Sequence, residues 1–144
     1  TKLDSRFILI NKENGGLASA RNKGLEYCNG EYIVCVDSDD WIEHNMVEKM
    51  LTNMLIYDAD MSVCSFYIEE GNKTRLHDQF KNVEILTKEE SLRYMILPNK
   101  FYGFSWNKMY KSAIIGNQKY DEKILKGEKK IKILKTKLFL SKLS

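Results

Sequence analysis

No apolar run in this 144-residue chain approaches the roughly 20 residues needed to cross a bilayer, and from its first residues a signal peptide is not expected. The chain begins at Thr1 rather than Met, which places its natural start upstream as an expectation. Cysteine is scarce: Cys28, Cys35 and Cys64 are odd in number, widely spaced and set in apolar stretches. That argues against a disulfide framework and a zinc site, and for a reducing cytoplasm with buried, inert thiols. There is no internal repeat. There is also no Gly-rich phosphate loop with a lysine near the start, which argues against a nucleotidyltransferase. A basic stripe interleaved with arginine or aromatics is missing too. The net charge of +3 arises in a tail from Lys119 onward, with nine lysines against three acids; the remaining chain carries a net of −3. No nucleic-acid surface is expected.

What is present is a globular composition, 43% hydrophobic and 30% charged, enough for one domain with a genuine core. Phe7-Ile8-Leu9-Ile10 reads as a strand buried on both faces. Asn14-Gly15-Gly16 is a turn signal, and a helix fits from Leu17 to about Cys28, with Leu17, Ala20, Gly24, Leu25 and Cys28 on its apolar face. Tyr32 to Val36 is the clearest strand, and Met46, Val47, Met50, Leu51 and Met54 mark the next helix. Met61 to Tyr67 reads as a third strand, and Glu69 to Val83 as a loop or weak hairpin. Thr87-Lys88-Glu89-Glu90 is a capping-box pattern opening a helix that Pro98 stops. Strands alternating with helices imply an α/β layered fold with a mostly parallel central sheet.

The strongest strand ends abruptly in Asp37-Ser38-Asp39-Asp40. In open α/β sheets, ligands gather beyond the carboxyl ends of strands. Three carboxylates in four residues repel one another, and sharing a divalent cation relieves that repulsion. A hard ion such as Mg²⁺ or Mn²⁺ takes few carboxylates and completes its shell with phosphate oxygens and water. A metal–diphosphate site is one reading; a capped helix N-terminus with solvated acids is the other. An EF-hand is disfavoured, because Trp41 and Ile42 fall where a ligand and the sharp turn belong. Arg21, at the same sheet end, fits either a bidentate anion contact or an ordinary solvated helical arginine.

Taken together, Asn14-Gly15-Gly16-Leu17-Ala18-Ser19-Ala20-Arg21-Asn22-Lys23-Gly24, Gly30-Glu31-Tyr32 and Val36-Asp37-Ser38-Asp39-Asp40-Trp41 resemble the family 2 glycosyltransferases in order and spacing. The likeness is to bacterial members that build capsule, exopolysaccharide or lipopolysaccharide chains. It continues through Tyr57-Asp58-Ala59-Asp60 and Ser105-Trp106-Asn107-Lys108-Met109-Tyr110, and it covers roughly residues 4–128. The resemblance implies a GT-A fold, a nucleotide-binding α/β half joined to an acceptor-binding half. It places Asp37 and Asp39 in a DxD motif touching the donor and an Mn²⁺ or Mg²⁺ ion, with Asp40 beside them. Arg21 and Ser38 would lie on the nucleotide-sugar side, and Trp106, Asn107 and Lys108 on the acceptor side. Core packing is the competing reading for Trp106.

Two departures qualify that resemblance. The P-V-Y-N-like first strand and the aspartate pair that grips the nucleobase have no counterpart, so the front of the domain is expected to be missing. Family members also carry a Glu-Asp pair whose Asp resembles the general base; the matching positions here are Glu128-Lys129. A lysine serves as that base only with a strongly depressed pKa, which leaves Glu128 as a poor substitute. Residues 1–128 thus read as a partial catalytic domain. Residues 129–144 read as a Lys/Ile/Leu-rich tail, from a shifted frame or a substitution, able to form an amphipathic helix. The implied activity is inverting transfer from a nucleotide-diphosphate sugar, UDP-linked by preference, to a growing or lipid-linked glycan. It would take place in the cytoplasm or at the inner face of the plasma membrane, with impaired turnover in this chain. The alternative is a non-catalytic remnant that keeps the scaffold. An unpaired sheet edge would also favour self-association.

Overall fold

The computed structural model describes residues 4–77, 82–97, 100, 102–122 and the backbone of 138–141. The chain divides into two compact units, Thr1–Asn29 with Asn117–Lys129, and Gly30–Gly116 with Lys130–Ser144.

In the first unit, residues 7–10 form no strand; Phe7, Ile8 and Leu9 are exposed. An apolar run becomes a strand only where a ladder partner satisfies its backbone, and none does so here among the described residues. Helix α1 (Gly16–Leu25) follows the expected turn, in which the Gly16 N–H donates to Asn14 Oδ1 at 3.1 Å. Gly16 adopts a φ of +83°, open to glycine at little cost. The helix buries Ala18 and Asn22 instead of the predicted stripe, and Cys28 lies exposed beyond its end. The reason is polar. Asn22 Nδ2 donates to the Tyr120 carbonyl at 3.0 Å, and the Tyr120 N–H donates back to Asn22 Oδ1 at 2.7 Å. One amide thereby captures an extended segment and turns that helix face inward.

The second unit holds a five-stranded sheet in the order β1-β6-β2-β7-β5. Its strands are β1 (Tyr32–Val34), β2 (Met61–Cys64), β5 (Ile85–Leu86), β6 (Lys108–Lys111) and β7 (Leu138–Ser141). A separate hairpin pairs β3 (Phe66–Glu70) with β4 (Lys73–His77) through a turn at Gly71. The third expected strand is therefore broken at Ser65, and the weak hairpin is real. Helix α2 (Met46–Tyr57) links β1 to β2, α3 (Lys88–Ile96) follows β5, and a single turn, α4 (Ser112–Ile115), follows β6.

The α/β class is as expected, but the strand sense differs from a mostly parallel sheet. Strand β6 runs antiparallel between β1 and β2, β7 is antiparallel to β2, and only β5–β7 is parallel. The cause is insertion: β1 and β2 share one direction, as a strand–helix–strand unit requires, and β6 returns between them. Strand β7 also replaces the expected tail helix at 138–141. Pairing to β2 along Met61–Cys64 overrides the helical spacing of its apolar residues.

The pleat sorts the core onto two faces. Met46, Met50 and Met54 of α2 pack with Ala59, Cys64 and Met109 on one face. Met61, Val63 and Leu86 pack with Tyr94 of α3 on the other. Helices on both sides of a sheet make the layered α/β arrangement. The Thr87 capping box is formed, with Glu90 N–H on Thr87 Oγ1 and Thr87 N–H on Glu90 Oε2.

Candidate functional site

Strands β1 and β2 point their carboxyl ends the same way, and the amino end of β6 lies between them. Three segments therefore meet at one edge of the sheet: the loop after Val34, Cys64-Ser65-Phe66, and Trp106-Asn107. They enclose a recess of about 30 Å³, lined among others by Asp37, Asp40, Trp41, Ser65, Trp106 and Asn107. That volume accommodates a water or a cation, since about 10–15 Å³ suffices for one water. A nucleoside would have to lie across its open side.

The acidic loop is a tight turn, closed by the Asp40 N–H on the Asp37 carbonyl at 3.1 Å. The turn carries Asp37 and Asp40, both half-buried, to the recess, while Ser38 and Asp39 stand exposed. None of these residues caps α2, which begins at Met46 behind Asn45. The capping alternative for the acidic run is thereby removed. Across the recess, Ser65 is 2% exposed, and its Oγ finds no hydrogen-bond partner among the described residues. A buried hydroxyl in that state is costly unless something polar joins it.

Opposite the acids, Trp106 stacks on Phe104 at 4.9 Å and meets the edge of Phe66 at 5.0 Å. Tyr102 continues the row at 5.1 Å from Phe104, and His77 stacks on Phe66 at 4.7 Å. Burial, aided by Arg75, holds the His77 imidazole below its usual range, so it packs as a neutral ring. Asn107 is tied to Cys64 in both directions. Its Nδ2 donates to the Cys64 carbonyl at 3.1 Å, and its carbonyl accepts the Cys64 N–H at 2.9 Å. Burial pushes the Cys64 thiol up to about 12, making it the inert cysteine expected of the set; Cys35 is only half-buried and Cys28 exposed. Lys108, grouped with the acceptor side by sequence, is 1% exposed and points into the protein.

Arg21 belongs to the first unit, where its guanidinium stands 5.6 Å over the Tyr120 ring. Glu128 and Lys129 lie outside the described residues. Sequence reasoning missed Ser65 and Phe66 because the expected strand ran through them to Tyr67; only the break after Cys64 brings them under the strand-end rule that singled out Asp37. Tyr57-Asp58-Ala59-Asp60 proves structural. Asp58 ends α2 in the left-handed region, Ala59 is fully buried, and Lys111 pairs with Asp58 at 3.0 Å and Asp60 at 3.5 Å.

The donor set around the recess suits a hard cation. No group of three or more His, Cys, Asp or Glu side chains converges as a ready cage among the described residues. A pair of carboxylates with an unsatisfied hydroxyl fits an ion that brings its own phosphate and water ligands. No helix among the described residues is long and apolar enough to cross a membrane.

Comparison with known proteins bears on the same segments. The model of the family described as "Glycosyl transferase family 2" matches residues 1–124. "Putative glycosyltransferase EpsH" of Bacillus subtilis is 38% identical over 116 residues, covering 79% of this chain and 33% of its own length. "Glycosyltransferase GlyA" of Streptococcus pneumoniae is 28% identical over 134 residues, 84% of this chain and 18% of its own length. "Minor teichoic acid biosynthesis protein GgaB" of Bacillus subtilis is 27% identical over 131 residues, 88% of this chain and 14% of its own length. The chain thus spans a third or less of these relatives.

Proposed function

The chain belongs to glycosyl transferase family 2, and from that membership we propose that it carries the donor-binding part of a polysaccharide-building transferase. The reading is transfer from a nucleotide-diphosphate sugar, UDP-linked by preference, to a glycan or lipid-linked glycan, with inversion. The observation that carries it is the Asp37–Asp40 turn at the carboxyl end of β1, bordering the recess with Ser65 and Trp106.

Asp37 and Asp40 would present carboxylate oxygens inward, and Asp39 and Ser38 would meet the donor from the solvent side. Together with Asp39, they would hold an Mn²⁺ or Mg²⁺ ion. When bound, that ion supplies charge neutralisation for the departing diphosphate. Arg21 would contribute a fixed positive charge to the nucleotide. Trp106 and Asn107 would form the acceptor-side wall, the indole offering an apolar face and excluding water. Glu128 is the weak candidate for taking the acceptor's proton, and with Lys129 beside it turnover is expected to be impaired. A lipid-linked acceptor would bring the protein to the inner face of the plasma membrane.

Calorimetric titration with UDP and Mn²⁺ tests the reading. Measurable heat with the unaltered chain, abolished by Asp39→Ala, is the expected result. No heat from the unaltered chain would overturn it and favour a scaffold without chemistry.

A further inference from the structure

Lys108 is the largest of the fully buried side chains among the described residues, at 1% exposure, and the function proposed above makes no use of its charge. Burying an ammonium is expensive unless every donor is matched. Here all three are. Nζ donates to the Tyr102 carbonyl at 2.6 Å, the Phe104 carbonyl at 2.5 Å and Asn107 Oδ1 at 2.8 Å. Lysine has no further donor to offer, so it has nothing left for a ligand.

What the ammonium gathers is the segment that builds the Trp106 wall. The carbonyls of Tyr102 and Phe104, two residues apart, converge on one nitrogen. The rings of Tyr102, Phe104 and Trp106 follow one another in a row along this bent segment. Their centroids follow at 5.1 Å and 4.9 Å, closed at the far end by Phe66. The third bond occupies Asn107 Oδ1 and so fixes that amide with Nδ2 toward the Cys64 carbonyl. Lys108 itself sits in β6, whose register to β2 pairs it with Val63. It therefore anchors an irregular segment to the sheet at the β6–β2 ladder.

We infer that Lys108 is a positioning residue that, through Tyr102, Phe104 and Asn107, sets Trp106 against the acidic turn without touching any ligand. Only the ligand arm of the test rests on the transferase reading; the others do not.

Three measurements test it. In the unaltered chain with ¹⁵N-labelled lysine at pH 6, one ammonium is expected to exchange slowly with water; no protected ammonium would overturn the inference. With Trp106 as sole tryptophan in a Trp41→Phe background, Lys108→Met is expected to shift its emission to the red. Its quenching by acrylamide should rise severalfold, with cooperative unfolding retained; unchanged emission and quenching would overturn the inference. Should Lys108→Met fail to fold, the ammonium measurement still decides. The third arm is a double-mutant cycle on UDP–Mn²⁺ binding. Because Trp106 lines the same recess as Asp37 and Asp40, Lys108→Met and Trp106→Leu should each weaken binding about tenfold, and together no more than either alone, since they remove one and the same placement. Additive losses would mean a purely structural lysine and would overturn the inference. If the unaltered chain binds no UDP–Mn²⁺, the transferase reading falls, and the first two arms still judge Lys108.

Discussion

Lys108 also makes stability depend on pH, with a sign and a size that the structure specifies. Burial pushes its ammonium down to about 7 from the ordinary 10.5. In the unfolded chain the group regains its ordinary value, so between those limits the unfolded state binds the extra proton. Stability therefore rises with pH across that window and is lost as pH falls toward 7. The full span would be worth roughly 5 kcal/mol at about 1.4 kcal/mol per pKa unit, and the three oxygen acceptors act against it by favouring the charged form. Cys64 works in the opposite sense. Its folded-state value of about 12 lies above the ordinary 9.0, so its contribution is present below 9 and fades as pH rises further. The clean interval between these two groups is pH 7 to 9, where Lys108 should add roughly 2 to 3 kcal/mol. Urea unfolding at half-unit steps, with Lys108→Met as reference, reads this as a difference in slope, so the variant's own loss of stability does not matter. A rise from pH 7 that levels off between about pH 9 and 10.5, where the two contributions offset each other, is expected, and the rise is absent in Lys108→Met. A difference that stays flat from pH 7 to 9 would refute the reasoning, showing that the three oxygens outweigh burial.

Other perturbations separate packing from chemistry. Met50→Ala removes a fully buried side chain from the α2 face of the core and should cost about 2–5 kcal/mol by urea unfolding. Thr87→Ala removes one arm of the α3 capping box and should cost about 1 kcal/mol in the same assay. Ser65→Ala should leave stability unchanged or slightly raised, since its hydroxyl has no partner among the described residues, while weakening UDP–Mn²⁺ binding in calorimetry. Strand β1 pairs only with β6 among the described residues, so light scattering should detect self-association through its other edge.

The legible parts of this fold were those decided locally. The α2 stripe of methionines, the Thr87 capping box and the turn at Asn14-Gly15-Gly16 each depend on residues within one turn of each other. What could not be read depended on partners far along the chain. The strand β6 hides in a motif that resembles a ligand site, and its insertion between β1 and β2 reverses the expected strand sense. The face of α1 was misjudged because Asn22, a polar residue, outcompetes Leu17 for the interior by bonding Tyr120 some hundred positions away. Residues 7–10 have the composition of a strand, yet strand formation needs a neighbour that composition does not supply.

The candidate site shows the same division, and it sharpens the meaning of the polar residues that cluster there. Trp106, Asn107 and Lys108 are adjacent in sequence and arrived as one group, but their atoms have different occupations. Asn107 Nδ2 and Oδ1 and all three Lys108 donors are taken up by the chain itself. Trp106 keeps a surface on the recess. On the opposite side, a carboxylate retains several acceptor positions even when one is engaged, so Asp37 and Asp40 can still accept from a ligand. Asp39 and Ser38 are exposed, and the Ser65 hydroxyl has no partner to give up among the described residues. Chemistry is thus to be sought where hydrogen-bonding capacity remains, at the acidic turn and Ser65. Lys108, the residue whose charge invites a catalytic role, is instead the one whose capacity is exhausted.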